Sequence, residues 1–230
     1  MTVEAAMNTG YYELGRQVVE TGLKQLPRSA RLVFEHGMLL AYLDFLDDAK
    51  KELAKVSRLA PGTDIAYIAS AQTSMFEGEV IEAIRIAREG IRKGNRHFML
   101  LTLYGEAVIS SGTEPGGRDF REARTALEQA VAAQPGYASA QIALARFYLL
   151  ENHLDDAIKH FELARELDPQ NPAVYSYLAR ALRKRGDTAR AEEMLVVLSR
   201  LNQAESERIR SAPGDRKPGY AARPRPPGEF

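Results

Sequence analysis

The chain is 230 residues long, 45% hydrophobic and formally neutral, with 31 basic and 31 acidic side chains. That length and apolar content suffice to bury a core, while the charge balance gives no overall field towards nucleic acid, an anionic membrane or a polyanionic substrate. The absence of cysteine excludes a disulfide framework, a thiolate metal site and a cysteine nucleophile.

In chain order, the predicted elements are helices that recur. A short helix is expected at residues 2–8, then a longer one over about 11–27 that closes on VVETGLKQLP. ELAKVSRLAP ends thirty-four residues later at Pro61, and the same interval separates Pro135, after ALEQAVAAQ, from Pro169, after HFELARELD. Self-similarity at a fixed period marks a repeat architecture. Five whole helix-turn-helix units follow at 30–63, 64–97, 98–137, 138–171 and 172–205, with a partial first unit over 1–29. Gly78, Gly112 and Gly186 stand where first helices must end, suited to a left-handed cap, and Pro27, Pro61, Pro135 and Pro169 stand where second helices must stop. No period-two alternation of β-branched residues competes for a strand. The unit at 98–137 is six residues too long; the excess lies in GTEPGGRDFREA, which predicts an enlarged turn. Over 211–230 the composition changes to SAPGDRKPGYAARPRPPGEF, with five prolines and no leucine, isoleucine or valine, and a disordered tail is expected.

Laid on this period, three columns stay small. They read Gly15, Ala49, Ala83, Ala123, Ala157, Ala191; then Gly22, Val56, Gly90, Ala130, Ala164, Leu198; and, in the first helices, Gly37, Ala71, Gly105, Ala145, Ala179. Small side chains are needed where helix backbones approach closely. Larger residues fill the flanking space, among them Leu40, Val108, Tyr148 and Leu182 in first helices and Val19, Leu53, Leu127, Phe161 and Leu195 in second ones. A thirty-four-residue unit with these small columns and a closing proline resembles the tetratricopeptide repeat family. Departures are His36 and Ser70 in place of leucine, no tryptophan in any copy, and Asn95 and Gln203 in place of the closing proline. The resemblance implies an all-α, right-handed α-solenoid of stacked repeats, forming one domain over 1–210.

It also implies a concave groove lined by the second, fifth, ninth, twelfth and thirteenth places of each unit. Those places are Arg31, Phe34, Met38 and Tyr42; then Ile65, Ile68, Gln72, Met75 and Phe76; then Met99, Thr102, Glu106 and Ile109. The last two units contribute Ile142, Arg146, Leu149 and Leu150, then Ser176, Arg180, Arg183 and Lys184. The expected groove is apolar and methionine-rich at one end and basic at the other. Thioethers adapt to varied partners, and arginines pair with carboxylates through charge-assisted bonds. A lysine-asparagine clamp known in part of the family is missing, since its places hold Phe34, Met38, Ala69, Met99 and Leu103.

His153, Asp155, Asp156 and His160 fall within eight positions and invite a metal reading. Asp156 and His160 precede the column residues Ala157 and Phe161, so both are expected to point away from the helix contact, with the aspartates at a solvated helix start. His36 reads as a buried histidine with one hydrogen-bond partner, and Gly116 and Gly117, lacking a preceding strand and a following lysine-threonine pair, as a flexible turn. The expectation is a non-enzymatic scaffold without cofactor or metal that takes a protein or peptide segment in the groove. The alternatives are a self-assembling structural module, giving a homo-oligomer, and a metal-dependent enzyme. No nucleic-acid partner is expected, because aromatics do not alternate with the arginines. MTVEAAMNTG lacks the features of a secretory signal and the apolar runs are short for a bilayer, so a cytoplasmic chain without membrane insertion is expected.

Overall fold

A computed structural model describes residues 12–211. The expected helix at 2–8 lies outside the described residues, as does the expected tail at 211–230 apart from Ser211, which ends the last helix. Among those described, eleven helices and no strand are present. They divide into two compact units, one up to Arg96 and one from His97.

The first unit holds α1 (Tyr12–Gln25), α2 (Ala30–Tyr42), α3 (Leu46–Leu59), α4 (Asp64–Phe76) and α5 (Val80–Arg92). The second holds α6 (Phe98–Ser110), α7 (Arg118–Ala133), α8 (Ala138–Leu150), α9 (Leu154–Leu167), α10 (Pro172–Arg185) and α11 (Thr188–Ser211). Within each unit consecutive helices pack in antiparallel pairs, and first helices also touch one another, α2 with α4 and α6 with α8.

The turns follow local chemistry. Gly78, Gly112 and Gly186 take positive φ of 75°, 72° and 93° just after their first helices, as an αL cap requires. Asp44 and Asn152 fill the same place with φ 68° and 63°, the non-glycine residues that tolerate this region best. Asn171 caps α10 by accepting from the Ala173 N–H, with Pro172 at the first helical position. The extra residues between α6 and α7 are shared between a longer connection, 111–117, and an extra half-turn at the start of α7, which runs to 16 residues.

The small columns lie at the helix contacts. Ala49, Ala83, Ala123, Ala157 and Ala191 are all fully buried. At Gly105 a β-carbon would sit 2.5 Å from the Leu127 Cγ, and at Gly37 one would sit 3.0 Å from the Leu53 Cγ. Leu127 and Leu53 are themselves fully buried, so neither can swing aside. In the second unit three ion pairs cross between successive repeats: Arg124 to both oxygens of Glu151 at 2.9 and 2.8 Å, Arg185 to Asp155 at 3.2 Å, and Arg190 to Glu162 at 2.5 Å. Such pairs near the surface contribute about 1 kcal/mol at most, so apolar packing holds the repeats together.

Gly105→Ala should lower stability in urea titration by up to about 2 kcal/mol, because overpacking of about 1–3 kcal/mol opposes a helix-propensity gain of about 1 kcal/mol. Gly37→Ala, with the looser fit, should cost less; equal midpoints for both variants and the parent would refute the close-approach reading.

Candidate functional site

In the second unit α8 and α10 lie side by side and present one strongly basic face. Ser176, Arg180, Arg183 and Lys184 recur at helical spacing along α10, and Arg180, Arg183 and Lys184 are exposed. Arg146 of α8 lies with its guanidinium 5.0 Å from the ring centre of Tyr177, a cation–π contact that holds it beside them. Lys184 reaches the Asn152 side-chain oxygen at 3.4 Å. Among the described residues no carboxylate pairs with Arg146, Arg180, Arg183 or Lys184, although most other arginines of this unit are paired. An open depression of about 500 Å³ lies here, lined by Ser176, Ala179, Arg180, Arg183, Lys184 and Leu195. Four cationic side chains beside aliphatic and aromatic surface suit an anionic segment that also carries apolar groups.

Elsewhere the predicted inner-face residues are spent differently. Thr102 is buried and donates its hydroxyl to the Phe98 carbonyl at 2.9 Å. Leu149 is buried, Leu150 is exposed, and Met99 and Glu106 are half-buried. In the first unit Phe34 and Ile68 are only 7% and 4% exposed and belong to the core. Tyr42 stacks on Tyr12 at 4.9 Å, and Phe76 packs against Leu40, Ala41 and Ala49. Met38 and Gln72 are half-buried.

The histidine cluster is built for structure. His160 is expected to point away from the helix contact; instead it is half-buried against α8, and its Nδ1–H donates to the Gln141 Oε1 at 2.7 Å. Gln141 is 2% exposed and donates in turn to the Pro135 carbonyl at 2.8 Å, while the imidazole stacks on Tyr148 at 5.5 Å. This chain of bonds ties α9 to the turn before α8. Burial pushes the His160 pKa down, helped by Lys159 and opposed by Asp156. Asp155 and Asp156 do occupy the exposed first turn of α9, and Asp155 pairs with Arg185. Among the described residues no three His, Asp or Glu side chains are grouped to hold a metal. His36 also departs from expectation: neither ring nitrogen has a hydrogen-bond partner, and the nearest acceptors are Glu20 of α1 at 3.6 Å and Glu52 of α3 at 3.9 Å.

Comparison with known proteins agrees with the repeat geometry: two tetratricopeptide repeat models match residues 116–172 and 149–212. Residues 116–212 carry tetratricopeptide repeats. A tetratricopeptide repeat-containing protein of Bacillus subtilis strain 168, YpiA, is 25% identical over 149 residues, or 65% of this chain and 34% of YpiA. The chain therefore spans about a third of the length of that curated relative. Among solved structures, YrrB, a tetratricopeptide repeat protein with an unusual peptide-binding site, matches at TM-score 0.53 and 16% identity over 83% of this chain and 98% of YrrB. The human IFIT1 dimer with PPP-AAAA matches at TM-score 0.64 and 19% identity over 81% of this chain and 45% of IFIT1. At these identities the likeness is one of fold.

Two tetratricopeptide repeat residues at the site were not singled out for it from sequence, Tyr177 and Leu195. Tyr177 is the sixth residue of its repeat, beside the fifth place occupied by Ser176, and its signal is a ring set one helical turn before Arg180 and two turns before Lys184. No helix among the described residues is long and apolar enough to cross a membrane.

Two outcomes follow for the histidines. Replacing His36 by the family's leucine should raise the urea midpoint by about 1 kcal/mol in stability, since two buried unpartnered nitrogens are removed; a loss would show that the Glu20 and Glu52 contacts stabilise. For His160, the lowered folded-state pKa means the unfolded chain binds more protons. Its stabilising contribution is therefore complete above about pH 6.5 and is lost as pH falls below that value. The urea midpoint should drop between pH 7 and pH 5, and His160→Gln should flatten that slope; an unchanged slope counts against it.

Proposed function

We propose that this chain is a non-enzymatic interaction scaffold whose α8–α10 face binds an acidic segment of a partner protein. The tetratricopeptide repeats over 116–212 support a protein-interaction role in general. The observation that carries the specific reading is the set of Arg180, Arg183 and Lys184, exposed beside the Arg146–Tyr177 pair without a carboxylate partner among the described residues. Unpaired cations on a folded surface cost little in water, and they become favourable when a carboxylate arrives in bidentate geometry with apolar surface covering the site. The first unit offers no equivalent: Phe34 and Ile68 are buried, and Tyr42 and Phe76 pack against their own neighbours. The contact surface is therefore assigned to Arg146, Tyr177, Arg180, Arg183 and Lys184, with Leu150 exposed at its border. Met99 and Glu106, half-buried on α6, extend the same row of first helices.

Screening the full chain against a peptide array should enrich aspartate- and glutamate-rich peptides. Arg146→Ala combined with Arg180→Glu should weaken their binding at least tenfold, about 1.4 kcal/mol, with unchanged helical circular dichroism. Raising salt should weaken binding further. Enrichment that is indifferent to charge, or retained in the double variant, would sink this assignment.

A further inference from the structure

The depression on α10 and α11 has a counterpart one repeat earlier, already filled. Thirty-four residues before Ser176, Ala179, Arg180, Arg183, Lys184 and Leu195 stand Ile142, Ala145, Arg146, Leu149, Leu150 and Phe161. Ile142, Ala145, Leu149 and Phe161 pack in one apolar cluster with Tyr177 of the following helix. Tyr177 stacks on Phe161 at 5.7 Å with the rings 8° apart, and lies 5.0 Å from the Arg146 guanidinium. Arg180 and Leu195 are the same two columns, one period on. Among the described residues no helix covers them, because α11 does not stop where the earlier second helices do. It runs unbroken for 24 residues, against 14 for α9, and does not turn back to lay down another first helix. Half-buried Leu195, Val197 and Leu198 and exposed Val196 remain along it.

The upstream seat and the terminal one differ in charge. Where α10 meets Leu149, with Leu150 exposed beside it, an occupant of the terminal seat meets Arg183 and Lys184. We infer that the open end of the second unit receives an amphipathic helix from a partner protein, which lays an aromatic side chain between Arg180 and Leu195 and carboxylates against Arg183 and Lys184. The aromatic requirement comes from Tyr177 in the filled copy, and the acidic requirement from the two cations that replace leucines. This inference rests on the acid-binding reading above and adds to it a helical conformation, an aromatic anchor and a register.

The probe is a fluorescein-labelled peptide copying residues 171–186, with Arg180, Arg183, Lys184 and Arg185 each replaced by glutamate. Its binding to the full chain is read by anisotropy. Binding should weaken at least tenfold when Tyr177 of the probe is replaced by alanine, and at least tenfold on Arg183→Glu chain. An Arg183→Glu/Lys184→Glu chain should instead prefer the unmodified, basic copy of 171–186. Arg121→Ala, exposed on α7 and outside this face, should change probe affinity less than twofold. If acidic array peptides bind through Arg146 but the probe ignores loss of its tyrosine, the seat is wrong and the scaffold reading stands; if neither binds, both fail. Displacement of the probe at equal concentration by PPP-AAAA would overturn the inference in favour of an RNA. Displacement by a peptide of residues 212–230 would overturn it in favour of this chain's own segment. A doubled light-scattering mass lost in Arg183→Glu would overturn it in favour of a second copy.

Discussion

A first helix reaches its second helix here only where one side supplies no bulk. Gly105 against Leu127 and Gly37 against Leu53 leave too little room for an unstrained β-carbon, and the fully buried alanines of the second helices extend the same constraint to every repeat. Close approach lets the large residues beside these positions interlock, and interlocking sets where each following first helix lies. The face formed by α8 and α10 is a product of that placement. Arg146 meets Tyr177, and Tyr177 meets Phe161, because α10 is seated on α8 and α9 at close range.

Much of this is written in the sequence as spacing. The paired helices, the left-handed caps at Gly78, Gly112 and Gly186 and the buried small columns each follow from one residue type recurring at one interval. Depth is harder to read. Phe34 and Ile68 share places in the repeat with Thr102, Ile142 and Ser176, and a period assigns all five to one face of the first helix. Whether such a side chain is covered depends on the bulk of its neighbours on the next helix, which varies from repeat to repeat. Phe34 and Ile68 are buried while Ile142 and Ser176 are only half-buried. The histidines show the same limit. His160 finds Gln141 on another helix, and no periodic signal links a histidine to a glutamine nineteen positions earlier.

The chain is neutral as a whole, yet charge is distributed unevenly between functions. In the second unit Arg124, Arg185 and Arg190 bridge successive repeats, while Arg180 and Arg183 meet no carboxylate among the described residues. The same residue type therefore serves as a tie at Arg185 and stands without a carboxylate at Arg180 and Arg183, and only the three-dimensional neighbours separate the two situations.

In the second unit each helix pair is held by the pairs adjacent to it in sequence, so its free energy is close to a sum of pair and interface terms. Among the described residues α10 and α11 have such an interface on one side only, and a pair held from one side opens more readily than one held from both. The cations proposed to meet an acidic segment sit on that pair. A helix bound as proposed would supply the missing neighbour, making ligand capture and the local ordering of the last repeat one thermodynamic event. Affinity at this end is then set partly by how readily α10 and α11 fray, which substitutions far from the ligand can tune.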